Sequence, residues 1–128
     1  MSFYEQLTNY LSGAPVYSGL VECLGGWDED ISDDGDRFIS INFEGSPPPG
    51  VIDVRQNIKL VIVGRRNGPD LPGGKLEAYK DAESIHRYIL DNPESSCFAN
   101  VVCLSGIIGP ETTTHKRLCY TIALEITT

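Results

Sequence analysis

The clearest hydrophobic pattern in the chain is a short run at residues 58–63, where apolar side chains dominate. The run presents Ile58, Leu60 and Ile62 on one face and Lys59, Val61 and Val63 on the other. A period of two in β-branched residues predicts a strand that is buried on at least one face. Glycines and prolines at 67–75 end this strand. A helical pattern follows, so we predict a strand that feeds a helix packed back upon it.

A helix is predicted over Lys75–Leu90, because apolar residues recur there on one face with helical spacing. The stripe consists of Ala78, Ala82, Ile85 and Ile89. Pro93 follows closely and indicates the end of the helix. A shorter helix is predicted over Phe3–Leu11, since Ser2 and Glu5 match the capping box that satisfies free amides at a helix start. Its single apolar stripe requires a surface on which to dock.

Alternation of apolar and polar residues predicts further strands. They cover Arg37–Phe43, Cys97–Leu104 and His115–Thr128. In the first of these, Ser40 and Asn42 are expected to face away from the core. Residues 51–54 also have an extended pattern, and they are interpreted as joining the central strand, with a bulge near 56–57. The segment Val16–Leu24 fits either a short strand or a loop packed against the core.

The order of these elements predicts an α+β fold, because neighbouring strands without crossover helices favour antiparallel pairing. We expect a mostly antiparallel sheet of four to five strands, with one long helix and a short N-terminal helix packed on it. A length of 128 residues fits a single domain over residues 1–128. No apolar window of about 18 residues predicts a membrane span. The first residues do not resemble a secretory signal, so a cytoplasm is the expected compartment for folding.

Residues 106–114 lie between the last two predicted strands and combine glycine, proline and threonine with two isoleucines. We predict a hairpin arm that reaches past the sheet before the chain returns. Ile107 and Ile108 are expected to be exposed on this arm. Exposed isoleucines of that kind require a partner surface.

Negative charge is concentrated in residues 28–36, and the chain as a whole carries a net charge of −8. The carboxylates of this segment are Asp28, Glu29, Asp30, Asp33, Asp34 and Asp36. Acidity of this size argues against a DNA-binding face, which needs clustered lysine and arginine. A calcium loop that begins at Asp30 would need a carboxylate at position 41, where the chain has Ile41. A solvated acidic loop is therefore favoured over a cation site.

Candidate chemistry for a cofactor, a metal or catalysis is weak. The cysteines do not form a C-x-x-C pair, and neither His86 nor His115 is spaced from them like a zinc ligand, which favours reduced, buried thiols. The glycine-rich loop before Lys75 lacks the first glycine and the Ser/Thr of a phosphate loop. No nucleophile motif is present. We therefore predict no cofactor, no metal and no enzyme activity.

Several local features in order resemble one family. They are the amphipathic opening helix, Phe43-Glu44-Gly45 before three prolines, Val63-Gly64-Arg65-Arg66, the helix with Tyr79 and Ala82, and Gly109-Pro110 returning through Arg117-Leu118-Cys119-Tyr120. Together with the small acidic chain, they resemble the tail terminator (tail completion) proteins of long-tailed, lambda-like bacteriophages. The chain departs from that family at 112–116, where an aspartate and a glycine are expected before the arginine. Residues 13–36 are not placed on any recognised feature of it.

The resemblance implies a structural assembly protein of the virion that has no cofactor. Such proteins resemble subunits that close into a hexameric ring at the head–tail junction. The ring caps the tail tube, stops its polymerisation and presents a surface to head-completion proteins, while DNA later passes through its hole without specific binding. Assembly in the host cytoplasm and no membrane partner are also implied. The residues expected to form the ring or tube interface are Ile107, Ile108, Pro110, Arg65 and Arg66.

The acidic segment is expected to face the central hole or another surface of the ring, because like charge repels DNA. Two other classes of protein remain open at this point. One is a neck or head-closure connector, which would act at the same junction. The other is a small acidic binding module of the immunity type, which would be monomeric alone and bind one basic partner.

Overall fold

The computed structural model of the protein describes residues 3–25, 35–44, 55–96 and 98–127. Within these residues the α-helices are α1 (Phe3–Leu11) and α2 (Gly74–Asp91), and short 3-10 helices cover Pro15–Gly19 and Gly68–Asp70. The strands are β1 (Val21–Leu24), β2 (Phe38–Phe43), β3 (Arg55–Val63), β4 (Asn100–Cys103), β5 (Ile108–Thr112) and β6 (Leu118–Thr127). Both predicted helices are confirmed, with bounds within one residue of those expected.

The strands form one six-stranded sheet in the order β1-β2-β3-β6-β4, and β5 also pairs with β6. β1 and β2 run parallel, whereas every other pair is antiparallel. The α+β class is confirmed, but the sheet is mixed and has six strands rather than four to five. The parallel pair escaped prediction because no helical pattern marks the connection between residues 24 and 38, where a crossover is needed.

The helix α2 packs on one face of the sheet through the stripe that its sequence predicts. Its buried apolar residues are Ala78, Ala82, Ile85 and Ile89. They share one core with the alternate inward-facing residues of β3 and β6. A Cβ added to Gly64, just after β3, would lie 3.1 Å from the Cβ of Ala78. The helix therefore sits close to the sheet because both residues at this contact are small. This side is termed the helix-covered face, and the other the open face.

The helix α1 docks on the same core, as its single apolar stripe requires. The stripe is buried at Leu7, Tyr10 and Leu11. The rings of Phe3 and Tyr10 lie 5.4 and 6.0 Å from the ring of Phe98, centroid to centroid. Aromatic pairs in tilted or edge-on geometry add to the energy of burial. Ser2, the first residue of the predicted capping box, lies outside the described residues.

The segment Val16–Leu24, which the sequence left open, forms most of a 3-10 helix and then β1. Glu22 links β1 to α1 and to the first 3-10 helix, because its carboxylate accepts hydrogen bonds from the hydroxyls of Tyr4 and Tyr17. Burial raises the pKa of Tyr4 to about 12, and the hydrogen bond to Glu22 adds to the effect. The same two causes raise the pKa of Tyr17. Both tyrosines therefore remain neutral donors to this carboxylate at physiological pH.

Two features of the sheet differ from expectation, namely the exposure of Ser40 in β2 and the predicted bulge in β3. Ser40 is 2% exposed, because its hydroxyl donates to the carbonyl of Gly25 and accepts from the amide of Asn42 at 3.2 Å. Ser40 does face away from the core, as expected, but it is buried rather than exposed to solvent. β3 and β6 keep a regular register through residues 56 and 57, so the expected bulge is absent from this pairing. The extended segment 51–54 lies outside the described residues.

Three cysteines, Cys23, Cys103 and Cys119, are reduced thiols and half-buried. Burial raises the pKa of the Cys23 and Cys103 thiols, which keeps them protonated at neutral pH. Cys97 is not among the described residues. No helix in the described ranges is both long enough and apolar enough to cross a membrane.

Candidate interaction surface

β4 and β5 lie end to end along the same edge of β6. β4 pairs with the C-terminal half of β6, and β5 pairs with its N-terminal half. Between them the amide of Leu104 donates to the carbonyl of Ala123 at 2.8 Å. Residues 106–114 therefore belong to a hairpin with β6, as expected. They lie within the sheet, however, so the expectation that they reach past it was wrong. The backbone groups of β5 that face β6 pair with it, which holds the segment there.

The two isoleucines of the predicted arm point to opposite faces of the sheet. Ile108 is opposite Thr121 on the open face and is 55% exposed, which confirms its expected exposure. Ile107 is half-buried and packs against the main core, so its expected exposure was wrong. Consecutive residues of an extended chain alternate between faces, so the two cannot share one surface. Leu104, also 55% exposed, adds to the apolar surface beside Ile108.

Pro110 lies in the exposed strand β5. It has no backbone N–H, so it cannot donate to a further strand added at this edge. Gly109 before it has a φ of 133°, and a Cβ there would lie 2.8 Å from the carbonyl oxygen of Cys119. Glycine is therefore required at this position, where the hairpin backbones approach closely.

Two open grooves flank the contact between α2 and the β5 edge. The first has a volume of about 510 Å³, with Pro110, Leu118 and Tyr120 on its apolar side and Lys75, Lys116 and Asp70 among its polar residues. The second has a volume of about 390 Å³ and is lined by Tyr79, Glu83, His86, Arg87, Leu90, Asp91 and Ile107. The rings of Tyr79 and Tyr120 meet between the grooves, with their centroids 5.8 Å apart. This side of the molecule thus offers apolar pockets with charged rims.

The second groove brings His86 beside two carboxylic acids, Glu83 and Asp91, which is the arrangement that an enzyme would need. Its lining has no serine, threonine or cysteine to act as a nucleophile. Among the described residues, no group of three or more His, Cys, Asp and Glu side chains is placed to hold a metal ion. The groove thus combines charged and apolar side chains.

The expected interface arginines, Arg65 and Arg66, lie just after β3 and are half-exposed. The Nε of Arg65 is 2.8 Å from a carboxylate oxygen of Glu77 on α2. Its Nη1 donates to the carbonyl of Gly35, at the C-terminal end of the acidic segment. Arg65 thus forms an intramolecular ion pair while 37% of its side chain stays exposed, and its role in an interface stays a prediction.

Most of the acidic segment, from Asp28 to Asp34, lies outside the described residues, so its placement stays a prediction. Asp36 is described and half-buried. Its carbonyl accepts a hydrogen bond of 2.8 Å from Nη1 of Arg117. The acidic segment therefore ends beside Arg65 and Arg117. Both are distant in the sequence, where no basic residue precedes Arg37.

Sequence reasoning missed Arg117, which is fully buried on the open face. Its Nη1 also donates to the carbonyl of Gly64 at 2.9 Å, and its guanidinium lies 5.2 Å from the centroid of the Phe38 ring. No pattern in the sequence distinguishes this arginine from exposed ones. Also missed was the outer edge of β1, where Val21 and Leu24 are 42% and 58% exposed. β1 has only four residues, too few for an alternating pattern that would predict the exposure of these two side chains.

Comparison with known protein families gives a match over the full length of the chain. The model of a family described as phage tail termination protein matches residues 1–128. No curated protein matches the chain.

Proposed function

We propose, since the chain belongs to the phage tail termination protein family, that it closes into a hexameric ring on the end of the tail tube. The ring stops further addition of tube subunits and offers its other side to head-completion proteins. Membership of the family makes the chain a structural component of a phage tail. Ring formation, capping and head attachment are the parts that we add.

The observation that best supports this proposal is the exposed apolar surface of the β5 edge. Leu104 and Ile108 are each more than half exposed on the open face, and two grooves open along the same edge on the helix-covered face. A subunit that works alone has no need for so much apolar surface at a sheet edge. A ring subunit needs two different surfaces, because a head-to-tail contact joins unlike patches and closes when its rotation closes.

Loss of the protein is expected to produce phage tails of uncontrolled length. Without a cap, tube subunits continue to add to the free end, so electron microscopy of cells infected with a deletion phage should show overlong tails. Supplying the intact chain from a plasmid is the control and should restore the normal length. Tails of normal length on heads that leak DNA would instead identify a neck or head-closure protein. A chain that binds one basic partner as a monomer would identify a binding module of the immunity type.

The acidic segment is proposed to face the central hole and keep DNA from adhering as it passes. Changing the six carboxylates at 28–36 to their amides is then expected to slow DNA ejection from assembled particles, measured by dye fluorescence as DNA is released. A control variant with Glu5, Glu44 and Glu94 neutralised, which are exposed and lie outside the acidic segment and both grooves, should eject at the normal rate. Equal rates for the two variants would show that the segment does not line the path of the DNA.

A further inference from the structure

Two exposed apolar surfaces lie at opposite edges of the sheet and correspond face by face. At the outer edge of β1, Val21 pairs with Phe38 and points to the open face, whereas Leu24 pairs with the core residue Ile41 and points to the helix-covered face. At the β5 edge, Ile108 points to the open face and Ile107 to the helix-covered face. Each edge therefore carries apolar side chains on both faces of the sheet.

The shapes of the two edges also correspond. Leu24 is a projecting side chain that is 58% exposed. On the same face, at the other edge, the second groove is open and has Tyr79, Leu90 and Ile107 in its lining. An exposed leucine beside one edge and a groove with apolar side chains between charged ones beside the other are the two halves of a complementary contact.

The strand directions permit such a contact in a ring. β1 runs parallel to β2, and each following pair across the sheet is antiparallel, so β1 and β5 run in opposite directions within one copy. Rotation about an axis along the strands leaves these directions unchanged. The β1 edge of one copy would therefore meet the β5 edge of the next in the favoured antiparallel sense.

We propose that these two edges form the contact between neighbouring subunits, so that Leu24 of one copy enters the second groove of the next while Val21 meets Ile108. The proposal rests on the ring proposed above and names the surfaces that build it. The occupant of each edge is a second copy of this chain, because both complementary surfaces belong to the same molecule. Among the described residues, no further strand covers either edge.

Side chains rather than a continuous strand ladder carry this contact. Pro110 interrupts the donors of β5, and the amide of Val101 in β4 is already used by the carbonyl of Pro93 at 2.7 Å. An edge blocked in this way resists the addition of unrelated strands. Specificity for a second copy then depends on the match between Leu24 and the groove.

Single charged substitutions at the two edges test the proposal. Leu24→Asp and Ile108→Asp each place a charge at one edge, and both positions are exposed enough to leave the fold intact. Each variant should need at least about thirtyfold more protein to assemble, as for loss of a central interface residue. Analytical ultracentrifugation of the purified chain measures this. Leu71→Asp, at a loop residue that is 44% exposed, is the matched control and should assemble normally.

A mixture of the two variants gives the sharper result. Leu24→Asp retains a working β5 edge, and Ile108→Asp retains a working β1 edge, so an equimolar mixture is expected to form dimers and nothing larger. Such dimers also demonstrate that both variants are folded. If the mixture stays monomeric, or if either variant alone assembles like the unaltered chain, these edges are not the contact.

The outcomes separate this proposal from the proposed function. Rings that persist in both variants would overturn the assignment of the edges and leave the ring itself standing. An unaltered chain that is monomeric at every concentration would overturn both. Dimers that form through Ile108 alone, unaffected by Leu24→Asp, would indicate a symmetric pair in place of a ring.

Discussion

Replacing Asp81 with alanine is expected to lower the free energy of unfolding by about 3–5 kcal/mol. Asp81 lies on α2 with its side chain only 6% exposed. Its two carboxylate oxygens accept from Nη1 of Arg37, just before β2, at 2.8 and 2.9 Å. Alanine would leave the guanidinium of Arg37, 19% exposed, in the interior without this carboxylate. Urea unfolding followed by circular dichroism measures the loss.

A second ion pair on the same helix provides the matched control. Glu77 accepts from Arg65, also at 2.8 Å, but both side chains are more than one-third exposed. Water screens such a pair, so Glu77→Ala is expected to cost about 0–1 kcal/mol. Equal losses in the two variants would mean that burial does not decide the strength of the Asp81 pair.

The double variant Arg37→Met with Asp81→Leu is expected to recover most of the stability lost by Asp81→Ala, to within about 1–2 kcal/mol of the unaltered chain. Burial raises the pKa of Asp81, and the attraction of Arg37 only partly opposes it. The carboxylate is therefore held in the interior at a desolvation cost. Apolar side chains of similar volume remove both charges and that cost together. A double variant no better than Asp81→Ala would show that the ion pair itself stabilises the fold.

This buried pair also shows where sequence reasoning ends. The apolar stripe of α2 and the alternation in β3 and β6 are local, so period alone predicts which of their residues enter the core. Asp81 lies three residues after Ala78, beside that stripe, and nothing nearby in the chain predicts its partner. Arg37 is more than forty residues away. Only the folded structure brings Arg37, just before β2, beside Asp81 of the helix, so that two charged residues become part of the interior.

The interaction surface is also predicted only in part by the local sequence pattern. The composition of residues 106–114 correctly predicts an exposed isoleucine and a proline on one hairpin. It does not predict which isoleucine is exposed, because that depends on the register between β5 and β6. The β1 edge is less accessible still to prediction, since it becomes an edge only through a parallel pairing with β2. Local patterns identify apolar residues, whereas the strand order decides which of them meet solvent.

Arg117→Ala is the other change with a large expected effect, a loss of about 3 kcal/mol or more in the free energy of unfolding. The side chain is fully buried. Its Nη1 donates to the carbonyls of Asp36 and Gly64, and its guanidinium lies beside the ring of Phe38. Alanine would remove the donor from both carbonyls and also leave a cavity next to the ring. Thermal and urea unfolding should report the same loss.

Arg117→Met separates the two contributions, because methionine fills most of the space beside Phe38 but donates no hydrogen bond. A loss of about 2 kcal/mol is expected from the two carbonyls that remain buried. The rest of the alanine effect then belongs to packing. A methionine variant as stable as the unaltered chain would mean that removing the buried charge compensates fully for the lost hydrogen bonds.

Hydrogen exchange locates the effect of the methionine variant within the fold. Arg117 is the point at which the chain leaving the acidic segment, at Asp36, is joined to the end of β3 at Gly64. Loss of this link should speed exchange of the amides of Val21 and Gly64, which donate to the carbonyls of Arg37 and Leu118, more than exchange in the middle of β6, since local opening follows the loss of local contacts. Uniform exchange across the sheet would show that Arg117 stabilises the whole domain and does not specifically fasten the end of the acidic segment. Faster exchange confined to these amides would show that Arg117 fixes the position of Asp36, at the C-terminal end of the acidic segment.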